Sequence, residues 1–95
     1  MQKITIDVVR NVLTDMGNDY VSTLTNEELF QASLQDDLGL KDYEIDELID
    51  RLENTCCCFF YKPAVRFLKK TCSLPISLLN LVCNNYALET KLIYA

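Results

Sequence analysis

Apolar side chains along this chain recur at helical spacing, and four helical stretches follow from them. The first spans about Ile6 to Met16, where Ile6, Val9, Leu13 and Met16 share one face. Gly17-Asn18-Asp19 reads as its stop, because glycine supplies the left-handed conformation that a helix end often needs. The connection from Asp19 to Lys41 is too long to be structureless in a compact domain. Inside it, Thr25-Asn26-Glu27-Glu28 fits a capping box, with Thr25 as N-cap and Glu28 reaching back, so a short helical turn is expected there. Leu29, Phe30 and Leu34 are expected to pin this connection onto the rest.

The second stretch, about Asp42 to Cys56, has the clearest stripe. Ile45, Leu48, Ile49, Leu52 and Cys56 fall on one continuous face. Asp42, Glu44, Asp46 and Glu47 crowd its first turns, where the helix dipole favours negative charge, and Asp42 reads as a good N-cap. A short third helix is expected from Pro63 to Lys70, with proline at the start and a lysine pair at the end. The fourth is expected to begin near Ser73, with Pro75 in its first turn, and to run to about Tyr86. Its inward face would be Leu78, Leu79, Val82, Cys83 and Tyr86. The tail Lys91-Leu92-Ile93-Tyr94-Ala95 is apolar, and residues 87–95 fit no clear element. The expected architecture is therefore one all-α domain over residues 1–95, a four-helix bundle of three main helices and one short helix with a long first loop.

Composition narrows the picture. Ninety-five residues with 49% apolar content, two Gly and two Pro describe a folded domain with one modest core. No apolar run reaches the roughly 18 residues of a membrane span, and the first residues lack the apolar stretch of a signal peptide. A cytoplasmic protein is the expectation. The five cysteines are an odd count, three of them consecutive at Cys56-Cys57-Cys58, and the chain has no histidine and no Cys-x-x-Cys pair. They read as reduced, buried, small apolar residues rather than as a disulfide framework or a metal site.

The net charge of −5 hides an asymmetry. Residues 27–53 hold ten acids against Lys41 and Arg51, a local charge of −8. Residues 54–95 hold Glu89 alone against Lys62, Arg66, Lys69, Lys70 and Lys91, a local charge of +4. The acidic block disfavours nucleic acid and anionic membrane as partners and would steer a basic protein surface toward itself. Asp42, Asp46 and Asp50 recur every four residues, and Glu53 continues the line. Like charges at that spacing cost a helix roughly 0.2–0.5 kcal/mol per pair. Helix stability alone therefore does not favour the arrangement, and only Glu47 with Arg51 offers a compensating i, i+4 pair. A partner-docking face built from Asp42, Asp46, Glu47, Asp50 and Glu53 is the expectation. A further possibility is self-association through the apolar tail that contains Tyr94.

The run Asp37-Leu38-Gly39-Leu40-Lys41-Asp42-Tyr43, followed by Glu47-Leu48 and Leu52-Glu53, resembles the prosthetic-group region of acyl carrier proteins. That family reads Asp-Leu-Gly-x-Asp-Ser-Leu before an acidic helix ending in Glu-Leu-x-x-x-Leu-Glu. Ser33-Leu34 upstream resembles the family's Ser-Phe before its Asp-Leu-Gly, and the match extends over roughly Ile6 to Tyr86. The resemblance implies an acyl carrier protein-like bundle in fatty acid or polyketide-type metabolism, with an acidic second helix that docks onto basic enzyme surfaces. The family's Asp-Ser-Leu falls on Lys41-Asp42-Tyr43, so an aspartate stands where the phosphopantetheine-bearing serine would be. The implied protein carries no prosthetic group and no cofactor. After the acidic helix the family pattern places Cys56, Cys58 and Phe60 inward and Cys57 outward. Where a family member shelters an acyl chain between its helices, Phe59, Phe60 and Phe67 would fill the space.

Catalytic readings find little support. Without histidine, a Cys or Ser nucleophile lacks its commonest general base, and there is no Gly-rich phosphate loop. Ser33, Ser73, Ser77 and Tyr43 lack the context the resemblance requires for loading. The expectation is a non-enzymatic protein that binds a basic partner. The alternative is a genuine acyl or aminoacyl carrier loaded at an unexpected residue.

Overall fold

The computed structural model describes residues 4–85. It is mostly helical. In chain order it contains α1 (Ile6–Asp15), a 3-10 turn (Asp19–Thr23), α2 (Asn26–Gln31), α3 (Asp42–Cys56), β1 (Cys58–Phe60), α4 (Lys62–Cys72), a second 3-10 segment (Ile76–Leu81) and β2 (Cys83–Asn85).

Local signals in the sequence account for most of the boundaries. α1 starts where the Thr5 hydroxyl accepts a hydrogen bond from the Val8 amide at 3.3 Å. It stops at Gly17, whose φ of 93° lets the Asn18 amide donate to Leu13 O and the Gly17 amide to Thr14 O, at 2.9 and 3.0 Å. That pair of bonds is a Schellman closure, which satisfies carbonyls the helix end leaves open. The short helix α2 has the expected box: Glu28 N donates to Thr25 Oγ1 at 3.1 Å and Thr25 N donates to Glu28 Oε1 at 2.9 Å.

The long connection is held by α1. The Arg10 guanidinium donates through Nη1 to Val21 O and to Leu24 O (2.9 Å), and through Nη2 to Asn26 Oδ1 at 2.7 Å. Three carbonyl-type acceptors on one fixed fork tie the 3-10 turn and the start of α2 to α1 and so give this connection a defined course. Leu29 and Leu34 are fully buried as expected, but Phe30 is exposed, because the face of so short a helix that carries Leu29 turns Phe30 outward.

The core is continuous. Leu13 of α1, Val21 and Leu29 of the connection, the α3 stripe of Ile45, Leu48, Ile49, Leu52 and Cys56, and Phe60, Leu74 and Leu79 all lie in one buried cluster. Ile6 and Met16, expected inside, are only partly buried against it, and Val12 is buried in their place. Each fully buried leucine of the stripe contributes roughly 1.5–3 kcal/mol relative to leaving it in water.

The largest departure from the sequence expectation is the last segment. No α-helix runs from Ser73 toward Tyr86. Ser73 and Leu74 take positive φ (58° and 53°), then Pro75 leads into the 3-10 segment, and β2 pairs antiparallel with β1. The register is Cys58↔Asn85, Phe59↔Asn84 and Phe60↔Cys83. Leu79 and Val82 reach the core as a helix would have placed them, so their spacing could not separate the two outcomes. Asn84 and Asn85 are poor helix formers, and the open edge of Cys58–Phe60 offers their backbone a partner. The alternation after α3 follows from the same ribbon: Cys57 has φ 53°, which reverses the chain, and Cys58 and Phe60 then point inward while Cys57 is exposed. The helix expected at Pro63–Lys70 is longer than expected, Lys62–Cys72. Tyr86 and the tail 87–95, including Tyr94, lie outside the described residues. No helix among the described residues is long and apolar enough to cross a membrane.

Candidate functional site: the acidic face of α3

The turn that delivers α3 is built from its own short side chains. Ser33 Oγ accepts from the amides of Asp36 and Asp37 at 3.2 and 3.1 Å, and Asp37 Oδ2 accepts from Ser33 N at 2.8 Å. Gly39 at φ 67° completes the bend, and Leu40 N donates to Leu34 O at 2.9 Å. The segment is anchored to the far end of the chain through Leu34 N to Leu74 O and Ile76 N to Ala32 O, both 3.0 Å. Asp37-Leu38-Gly39 therefore acts as a rigid launch for α3. Ser33 is buried and its hydroxyl is committed to the turn.

At the start of α3 the structure corrects one expectation. The N-cap is Lys41, with extended φ −83° and ψ 165°, and Asp42 is the first helical residue. Glu44 Oε1 accepts from Lys41 N at 2.9 Å. Lysine has no acceptor to return the bond, so this capping box is one-sided. With Glu44 taking that role, the Asp42 carboxylate is free to turn outward. Its side chain is 78% exposed and Oδ1 lies 3.4 Å from Lys69 Nζ on α4.

Asp46, Glu47 and Asp50 are exposed on the following turns. Glu47 pairs with Arg51 as the spacing implied, Oε2 to Nη2 at 2.7 Å. Asp46 and Asp50 form no ion pair among the described residues. Tyr43, 67% exposed, lies one turn before Asp46 and Glu47 on the same side of the helix. Sequence reasoning weighed it only as a loading position and left it out of the docking face. The signal was there: an aromatic residue at i, i+3, i+4 and i+7 to three acids, and off the apolar stripe.

Glu53 does not join this face. Its side chain is only 17% exposed, and Oε2 accepts from Phe60 N at 2.8 Å and from Lys62 Nζ at 2.7 Å. It clasps the corner where α3, β1 and α4 meet. The expected row of acids thus divides into Asp42, Asp46, Glu47 and Asp50 at the surface and Glu53 in a structural role.

The cysteines have separate fates. Cys56 and Cys58 are buried, Cys83 is half-buried, and Cys57 and Cys72 are exposed, so the expectation of burial fails for Cys72. None of the five forms a disulfide. The Cys58 thiol is pushed up to about 12, first by burial and then by its hydrogen bond with Cys83 and the charges around it. Burial also raises Cys56 and Cys83. Neutral, sheltered thiols of this kind are poor nucleophiles and poor ligands. Among the described residues no group of three or more His, Cys, Asp or Glu could hold a metal ion. Phe60 fills core space as expected and Phe59 is half-buried, but Phe67 is 64% exposed on α4. It faces away because Val65, two residues earlier, takes the inward side of the helix.

These side chains offer a charged, aromatic-flanked surface. The chain's own residues have to carry the functional reading, because no protein-family model, no curated protein and no solved structure matches it.

Proposed function

We propose that this protein is a non-enzymatic, acyl carrier protein-like helical module that binds a basic surface of a partner protein through α3. The observation that carries the reading is the exposure of Asp42, Asp46, Glu47 and Asp50 along one helix, where like charges at helical spacing weaken the helix itself. Two of those acids, Asp46 and Asp50, pair with no cation among the described residues. A complementary Arg- or Lys-rich surface would relieve the repulsion and accelerate encounter. Tyr43 adds what the acids lack, a rigid aromatic contact of the type enriched at interface centres. On this reading Glu53 belongs to the scaffold, and the partner-binding set is Tyr43, Asp42, Asp46, Glu47 and Asp50.

Asp42 supports the absence of a prosthetic group. It stands at the serine position of the resembled motif, exposed and paired with Lys69, and a carboxylate does not form the phosphodiester. For a carrier loaded elsewhere, Ser33 is buried and Ser73 Oγ is hydrogen-bonded to Asp36 Oδ2 at 2.5 Å, which leaves that alternative without a favoured residue.

The test is intact mass after incubation with coenzyme A and a broad-specificity phosphopantetheinyl transferase. The wild type should stay unmodified. The triple variant Lys41→Asp, Asp42→Ser, Tyr43→Leu rebuilds the motif and should gain one phosphopantetheine. An adduct on the wild type would refute the reading, and a folded triple variant that stays unmodified would refute the alignment behind it. For docking, Asp46→Lys with Asp50→Lys should slow association with a basic partner and flatten its salt dependence. Unchanged rates would identify the face as merely solvated.

A further inference from the structure

On the other side of Asp42 lies a cleft of about 290 Å³ lined by Gln35, Asp42, Arg66, Lys69 and Lys70. We infer that this cleft is a binding site for a small phosphate ester, held by Arg66, Lys69 and Lys70 of α4, and that the Asp42 carboxylate competes with the ligand for Lys69. This inference is independent of the docking role proposed for α3.

The charges argue for an anion. Three cations face one carboxylate in a chain whose net charge is −5, and α4 contains no acidic residue. Lysines in a last helical turn are favoured by the dipole, which accounts for Lys69 and Lys70 but not for Arg66. Arg66 and Lys70 stand at i, i+4, a like-charge spacing that costs the helix. Neither forms an ion pair among the described residues. Lys69 is only loosely satisfied: its 3.4 Å contact with Asp42 is longer than the roughly 2.7–2.9 Å of a charge-assisted hydrogen bond.

A second observation lies at the cleft wall. Gln35 Oε1 is shut off from solvent with no hydrogen-bond partner. As it stands the atom does not face the open cleft; a change of rotamer that turns the NH₂ group into the cleft would relieve it and supply a donor for a ligand oxygen. The tetrahedral oxygens of a phosphate suit a guanidinium fork, two ammonium groups and an amide better than a planar carboxylate does. The volume corresponds to roughly ten waters. It lies just below the roughly 300–1,000 Å³ of drug-sized sites, so a phosphate on a small organic body fits and a large cofactor does not.

The experiment is a titration of the ¹⁵N-labelled full chain with glycerol 3-phosphate, with sodium chloride adjusted to hold ionic strength constant. Saturable amide shifts centred on Gln35, Asp42, Arg66, Lys69 and Lys70 are expected, with millimolar or tighter affinity. Arg66→Gln with Lys70→Gln, both exposed changes that leave the core untouched, should weaken binding at least about tenfold. Asp42→Asn should tighten it about two- to fivefold, the range of one exposed charge pair. Shifts that do not saturate, or an Asp42→Asn affinity equal to the wild type, would overturn the inference. So would sedimentation of the protein with vesicles containing phosphatidate alongside no saturable response to the soluble ester, since that outcome assigns the cations to a lipid surface.

Discussion

Replacing Glu53 by alanine should destabilise the fold, while neutralising Asp46 or Asp50 on the same helix should not. Glu53 Oε2 holds both Phe60 N (2.8 Å) and Lys62 Nζ (2.7 Å), and its side chain is mostly shielded. A hydrogen bond to an ionised acceptor contributes about 1.5–3 kcal/mol. The bond to the exposed Lys62 adds about 0.2–1 kcal/mol. Glu53→Ala should therefore cost about 2–4 kcal/mol, and Glu53→Gln about 1 kcal/mol, because the amide oxygen can still accept from Phe60 N. Lys62→Ala should cost less than about 1 kcal/mol. Asp46→Asn and Asp50→Asn each remove like-charge repulsion, and each should be neutral or stabilising by about 0.2–0.5 kcal/mol. Urea unfolding followed by circular dichroism reads all five variants. With a slope of about 1–3 kcal/mol per molar urea, Glu53→Ala should lower the midpoint by about 1 M or more. A Glu53→Ala midpoint within error of the Asp46→Asn and Asp50→Asn variants would refute the division of the acidic row into a clasp and a free face.

Three other outcomes follow from particular residues. Cys57→Gly should raise stability by about 0.5–1 kcal/mol in the same urea assay, because Cys57 sits at φ 53° and glycine removes the left-handed penalty at a cost in unfolded-chain entropy. Arg10→Met should cost about 1–3 kcal/mol and raise amide exchange across residues 19–26, since the guanidinium is the common anchor of Val21 O, Leu24 O and Asn26 Oδ1. Stability should fall as pH rises from 9 toward 12. Below the ordinary thiol value of 9.0 the Cys58 contribution is fully present, above it the unfolded chain ionises first, and the contribution is lost as pH passes the folded value of about 12. Cys56 and Cys83 act in the same direction. The slope of unfolding free energy against pH should flatten in Cys58→Val, and an unchanged slope would remove Cys58 from the account.

The elements that could be read in advance were those whose instructions are local. Thr5, Gly17, the Thr25–Glu28 box and the α3 stripe each act through neighbours within one or two turns, so α1, α2 and α3 appear where the spacing put them. The candidate site was legible to the same degree. Exposure of Asp46, Glu47 and Asp50 follows from helical periodicity, as does the Glu47–Arg51 pair. The identity of the cap at Lys41 was not, because it turned on whether Asp42 or Glu44 would fold back.

By itself, the sequence determined where the first helices begin and end and which face of α3 is apolar. Helical hydrogen bonds, caps and side-chain spacing are properties of adjacent residues, so one dimension suffices to specify them. Only the tertiary structure decided that Cys83–Asn85 pairs with Cys58–Phe60 instead of extending a helix. It also decided that Glu53 closes a corner and that α4 brings Arg66, Lys69 and Lys70 against Asp42. Those outcomes depend on partners brought together by the packed core, and a strand edge, a backbone donor or a facing cation has no signature in the residues beside it.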